Sequence, residues 1–197
     1  MPPAPTDPAA APPPTLLEKL QLDVFCIVTA ATVHVGLARL QDIVFPHTEF
    51  VPGIGWIYLP AGARLLFPLL FGLPGALGVM IGSWLVCFLY LYPDDPLRSL
   101  AGGVSSAMAP YLVYLVAIHL FGMKPSLQNL TSRRLLLLVP LFGVASPLMH
   151  HLWFWLRHDQ VDLARGFVVM AVGDMAGALL VIYALKLILT VGFPRRR

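Results

Sequence analysis

An arginine and an aspartate stand inside apolar runs of this chain, where their charge gives them chemistry that their neighbours lack. Arg64 falls within Pro52 to Trp84, PGIGWIYLPAGARLLFPLLFGLPGALGVMIGSW, in which Pro60, Gly62, Pro68, Gly72, Pro74, Gly75, Gly78 and Gly82 interrupt a regular helix. At membrane depth such backbone is tolerated where it is buried in protein or lines a cavity. Asp174 has Ala171, Gly177 and Ala178 as its i−3, i+3 and i+4 neighbours, so on a helix its carboxylate lies in a small-residue stripe that turns inward. A bare carboxylate in hydrocarbon is costly and needs a partner or a proton. Counted inward from the outer face, Arg64 is roughly 7 Å deep and Asp174 roughly 12 Å, at 1.5 Å per residue. An arginine side chain spans that difference. Two readings stay open: a structural ion pair that fixes the last helix, or one or both residues facing a cavity that receives a ligand.

His34, His150 and His151 fall at a similar depth, with Arg39 close by. They enlarge the candidate polar cluster, as ligand-binding residues or as hydrogen-bonded packing residues. No metal site is expected, because adjacent histidines project about 100° apart on a helix and no Cys, Asp or Glu stands at ligand spacing. Haem between His34 and His150 or His151 is geometrically conceivable but disfavoured, so no cofactor is expected. His119 has no charged neighbour and reads as structural. Nothing resembles a nucleophile with its base, a phosphate loop or paired hydrolytic acids, so the chain is not read as an enzyme.

The elements that position these residues must be membrane helices. Of the 197 residues 58% are hydrophobic and 12% charged, and the mean hydropathy is +0.78, whereas soluble domains carry roughly a quarter charged residues. The net charge of +3 and pI of about 9.1 come from basic residues between apolar runs, where orientation and anionic lipid explain them better than nucleic acid. Cys26 and Cys87 both fall in apolar runs near opposite membrane faces and read as packing residues rather than a disulfide.

Residues 1–15, rich in proline and alanine, read as a disordered tail. No basic segment precedes an apolar core of signal-peptide length, so the first run is expected to stay as a helix. The apolar runs are Leu22 to Leu40, Leu59 to Phe71, Gly75 to Leu91, Ser106 to Phe121, Leu135 to Trp155 and Phe167 to Val191. About 20 residues cross a bilayer core, so the second run spans only if Trp56 to Leu59 join it. Charge decides for six crossings. One side then holds Lys19, Lys124, Arg133, Arg134 and Arg195 to Arg197; the other holds Asp42, Glu49, Asp94, Asp95, Asp159 and Asp162, partly offset by Arg39, Arg98, Arg157 and Arg165. The positive-inside rule places both termini in the cytoplasm. The expected fold is an all-α polytopic transmembrane bundle of about six helices over residues 16–192, with a basic tail at 193–197. Trp153 and Trp155 belong at the outer interface, and Asp94-Asp95 in a solvated loop.

Three prolines remove helical donors: Pro68 frees the carbonyl of Arg64, Pro110 that of Ser106 and Pro147 that of Gly143. Gly78 with Gly82, and Gly173 with Gly177, form small-residue faces for close helix packing within the chain.

The stretch GWIYLPAGARLLFPLLFGLPGALGVMIGSWL resembles an element of the membrane-associated sensor domain found at the N-termini of bacterial diguanylate cyclases and histidine kinases. There an aromatic-proline-(Pro/Ala)-(Ala/Gly)-Gly signature precedes a leucine-rich run and a glycine-rich helix. Gly173 to Leu180, GDMAGALL, resembles that family's late Gly-Asp-x-x-Gly-x-Leu element, and the two together cover about a third of the chain. Tyr58-Leu59-Pro60 departs from the usual Trp-Pro-Pro, Arg64 is an additional charge, and the family has about eight helices. The resemblance implies a sensory domain of the bacterial inner membrane that binds a small ligand or partner helix. With no catalytic domain after Arg197, it would signal through a separate protein partner. A substrate-binding subunit of an uptake transporter, or an assembly protein without a ligand, is the alternative. Against the transporter subunit, Ala30 and Ala31 are followed four residues on by His34 and Val35, so the first helix lacks an Ala-x-x-x-Ala docking face.

Overall fold

The computed structural model describes residues 14–124, 131–158 and 162–192. Most of the tail at 1–15, all of 193–197, and Asp159 lie outside the described residues. Among the described residues there are six α-helices: α1 (Leu16–Val44), α2 (Pro60–Phe71), α3 (Leu73–Val86), α4 (Pro96–His119), α5 (Ser132–Leu156) and α6 (Leu163–Gly192). A π-helical turn, Cys87–Leu91, extends α3, and a short antiparallel hairpin of β1 (Glu49–Val51) and β2 (Ile54–Gly55) separates α1 from α2. Among the described residues five helical segments are long and apolar enough to cross a membrane, and α2 is shorter. Phe25, Ile43, Leu120, Leu152, Ile188 and other large apolar side chains point outward, as a surface bathed in lipid requires. The class is that of a multi-pass membrane protein.

Local signals set the helix ends. Thr15 caps α1 in a reciprocal pair with Glu18, which satisfies two of the orphan donors of the first turn. Asp95 accepts from the Arg98 amide at 3.0 Å and starts α4, so this aspartate, expected only as part of a solvated loop, is a helix cap. Gly72 joins α2 to α3 at φ +62° and ψ −131°, backbone that a glycine adopts without steric penalty.

Close approaches fix the helix directions. Gly78 faces Ile27 and Ala30, and Gly82 faces Ala31 and His34, so α1 and α3 run parallel. Trp84 meets Gly103, Cys87 meets Gly102 and the Tyr92 carbonyl accepts from the Ser99 hydroxyl, making α4 antiparallel to α3. Gly143 meets Met175 and His151 meets Phe167, making α5 antiparallel to α6. Leu16 and Gly192 therefore lie at one end of the bundle and the hairpin at the other.

The second run differs from a full helix. A helix of 12 residues spans about 18 Å, short of the roughly 30 Å of a bilayer core. Residues 49–59, rather than extending the helix, form the hairpin and, at 56–59, an irregular strand of chain with no regular secondary structure. Their backbone is satisfied by protein, as irregular backbone at depth demands. Trp56 N–H donates to the Thr48 carbonyl at 2.8 Å and Tyr58 N–H to the Gly173 carbonyl at 3.1 Å. Gln41 of α1 clamps the strand from the other side, donating to the Ile57 carbonyl at 3.0 Å and accepting from Leu59 N–H at 2.9 Å. Replacing Gln41 with alanine leaves both groups unpaired and is expected to lower stability by about 1–3 kcal/mol, read by unfolding in graded SDS.

Buried residues form three clusters. Leu65, Leu69, Val113, Leu138 and Phe142 fill the centre of α2, α4 and α5; Ala30, Ala63, Phe67 and Val79 sit between α1, α2 and α3. Ile54, Phe154, Val169 and Met170 seal the hairpin end. Trp155 is exposed, whereas Trp153 turns inward against this last cluster. Cys26 and Cys87 are buried free thiols.

Candidate functional site

Arg64 lies one turn into α2 and is buried on every side, at 1% exposure. Its guanidinium reaches three other helices. Nε donates to the Ser106 carbonyl of α4 at 3.4 Å, and Nη2 to Ser146 Oγ of α5 at 2.9 Å. Nη1 stands 3.7 Å from Asp174 Oδ1 of α6, itself 1% exposed. The rings of Phe142 and Tyr58 flank the cation at 5.6 and 5.9 Å. The Ser106 acceptor exists because Pro110, inside α4, has no N–H to offer it. One helix break thus supplies the partner for a buried charge introduced by another segment.

Asp174 is less well served. Neither carboxylate oxygen has a hydrogen-bond partner among the described residues, and its contact with Arg64 is an ion pair rather than a hydrogen bond. The Ser146 hydroxyl, which accepts from Arg64, is its nearest polar neighbour on α5. Because α6 begins at Leu163, Asp174 is deeper than the sequence indicated, about 16 Å from that end, and α2 begins low enough to match it.

His150 adjoins the pair. Its Nδ1 faces the Ser146 carbonyl at 2.9 Å; with that proton donated, a neutral ring presents Nε2 as acceptor to the Ser106 hydroxyl at 3.5 Å. His34 lies between α1 and α3, with Nε2 3.1 Å from Ser83 Oγ. It packs beside Gly82. His151 is apart: its Nδ1 faces the Pro147 carbonyl at 2.9 Å, and its ring packs edgewise on Phe154 and Phe167. His119, expected to be structural, is exposed at the end of α4.

Arg39 is not in the cluster. Its side chain is 52% exposed, pairs with Asp42 at 3.2 Å and stacks on Tyr90 at 4.2 Å. It rims a separate depression of about 350 Å³ between the end of α1, the hairpin and the π-helical turn. Five residues after His34, Arg39 emerges on the exposed side of α1 while Ala38 and Gln41 face the protein, so its charge stays in solvent.

The two small-residue faces divide. Gly78 and Gly82 bring α3 onto α1 as a helix pair. Gly173 and Gly177 receive no helix; they seat the backbone of Gly55 and Tyr58. Spacing reports closeness but not the kind of backbone that approaches.

Ser106, Ser146, Ser83 and Tyr58 were not legible as site residues. A serine in an apolar run is as often packed as hydrogen-bonded across helices, and only Ser106 carried a signal, through Pro110. Among the described residues no group of three His, Cys, Asp or Glu side chains forms a ligand set for a metal.

On the hairpin side of Arg64 a small, partly open pocket of about 40 Å³ is lined by Ile54, Arg98, Ser106, His150 and Trp153. Arg98 stacks on Tyr92 at 4.2 Å, and the Tyr92 hydroxyl donates a short hydrogen bond to the Pro52 carbonyl. Burial pushes the Tyr92 phenol up to about 12, with Arg98 opposing it, so the hydroxyl keeps the proton it donates. The chain matches no protein-family model, no curated protein and no solved structure.

Proposed function

We propose that this chain is a sensory membrane domain of the bacterial inner membrane, with both termini cytoplasmic, that engages a small ligand or a partner helix through the polar pocket around Arg64 and Asp174. It passes the signal to a separate protein rather than catalysing a reaction. One observation carries the reading. The two segments that resemble the sensor family, residues 55–85 and 173–180, build the site together: Gly173 and Gly177 seat the strand, and Arg64 meets Asp174. The orientation rests on charge: Lys19, Lys124, Arg133, Arg134 and Lys186 belong to the Leu16 end, against Arg39, Arg98, Arg157 and Arg165 at the hairpin end, a bias in the direction that positive-inside sorting favours.

The test is purification of the tagged full-length chain from its native membrane. A diguanylate cyclase, histidine kinase or response regulator in the eluate is the expected partner. An ATPase pair would replace this reading with that of an uptake-transporter subunit, and recovery with neither would leave an assembly role.

A further inference from the structure

Towards the Leu16 end of the bundle α6 outruns its neighbours. The short helix α2 stops at Phe71, and every residue of α6 from Tyr183 to Gly192 is exposed. An open groove of about 750 Å³ results, lined by Leu66 and Leu70 of α2, Leu135 and Leu136 of α5, and Leu185 and Leu189 of α6. Its lining residues on α6 begin at Ile182 and end at Thr190, so it follows that helix for about 12 Å. Ser132, Lys186 and Thr190 gather towards the Leu16 end of the groove, and no aspartate or glutamate lines it. The Thr190 hydroxyl is committed, donating to the Lys186 carbonyl at 2.7 Å. Lys186 is in no ion pair among the described residues; Glu18 and Asp23, the acids nearest that end, stand on α1, outside the groove. α5 begins at Ser132 with no acidic residue in its first turn, so the positive end of its dipole adds to the same potential.

We infer that this groove is a binding site for one anionic phospholipid, with an acyl chain laid along the leucines and the headgroup phosphate at Lys186 and the Ser132 hydroxyl. The volume falls in the range of roughly 300–1,000 Å³ that accommodates ligands of drug size. A lysine close to the end of a membrane helix carries its ammonium to headgroup level, and basic pockets between such helices select anionic lipid. A partner helix is the competing occupant. Helices associate in membranes through small residues that let two backbones meet, yet this lining holds no glycine or alanine, and its serine and threonine both sit at the polar end. Bulky leucines hold a second backbone away, whereas a flexible chain conforms to the gaps between them. Leu66 lies two residues beyond Arg64 on α2, so a bound lipid steadies the helix that carries the buried arginine. The site is separate from the pocket around Arg64 and stands whether or not the sensory reading does.

The experiment titrates the purified full-length chain in detergent with phosphatidylglycerol and, in a parallel arm, with phosphatidylcholine of the same acyl chains. Bound lipid is counted by native mass spectrometry, and Tm is followed alongside. The expected result is one saturable phosphatidylglycerol per chain, held about fivefold more tightly than phosphatidylcholine, with a rise in Tm. Lys186→Gln should remove that preference, since one lysine beside an anionic lipid surface is worth about fivefold in affinity, and Lys186→Arg should keep it. Lys19→Gln is the control, an exposed lysine of the same end on α1, and should change nothing. Leu189→Trp places an indole in the groove from an exposed position and should weaken both lipids. Equal binding of the two lipids by the wild-type chain, or equal effects of Lys186→Gln and Lys19→Gln, would overturn the site. Crosslinking of Leu136→Cys to a second copy or to another protein in native membranes would overturn it in favour of a docked helix.

Discussion

Alanine at Asp174 is expected to destabilise the bundle by about 3–5 kcal/mol, because removing one member of a buried pair leaves the other charge uncompensated. Arg64→Ala should be less damaging. Asp174, left without a cation, can shed its charge by taking a proton, whereas the guanidinium left by Asp174→Ala cannot lose its own. It keeps only the Ser106 carbonyl and Ser146 hydroxyl as neutral acceptors. The double variant should lose less than the sum of the two. Replacing the pair with Met and Leu should approach wild-type stability, since a hydrophobic pair of similar volume can match a buried ion pair. Unfolding in graded SDS, followed by tryptophan fluorescence, gives the three free energies. Losses that add to within about 0.5 kcal/mol would show that the two side chains do not act as a pair.

The second large effect is expected at Gly177. A Cβ there would lie 1.8 Å from the Tyr58 carbonyl oxygen and 2.3 Å from its carbon, and one at Gly173 would lie 1.9 Å from the Gly55 carbonyl oxygen. These neighbours are backbone and cannot swing aside as a side chain would. Gly177→Ala must lift the strand from α6 and pull Arg64, six residues beyond Tyr58, away from Asp174. A loss of about 3 kcal/mol is expected, at the upper end of overpacking effects. Gly36→Ala is the matched control: nothing stands within 4 Å of a Cβ at Gly36, so alanine in that helix should be neutral or stabilising by up to about 1 kcal/mol. Indistinguishable unfolding curves for the two variants would mean that the strand is not seated on α6.

The second effect follows from residues 49–59, which the sequence disclosed least. Hydropathy reads how much apolar side chain a segment presents to lipid. This segment is held by α1 and α6, burying Ile54, Gly55 and Leu59 while Glu49, Pro52 and Trp56 stay exposed, so it shows no continuous lipid-facing pattern. Its backbone groups are paired by Gln41, Thr48 and Gly173, partners that no local pattern identifies. The same blindness to lateral neighbours placed Arg39 in the polar cluster, since depth along the chain cannot tell on which side of α1 a residue emerges.

By itself the sequence determined the apolar spans, the turn at Gly72, the need of Asp174 for a partner and the freed carbonyl of Ser106. Each follows from interactions within a few residues or from the solvation of a single side chain. Only the tertiary structure decided that this carbonyl is met by Arg64, that Ser146 stands beside the ion pair, that the Gly173 and Gly177 face holds a strand instead of a helix, and that an apolar groove opens between α2, α5 and α6. Those outcomes depend on the rotation of each helix about its axis, which is set by close packing among all of them at once.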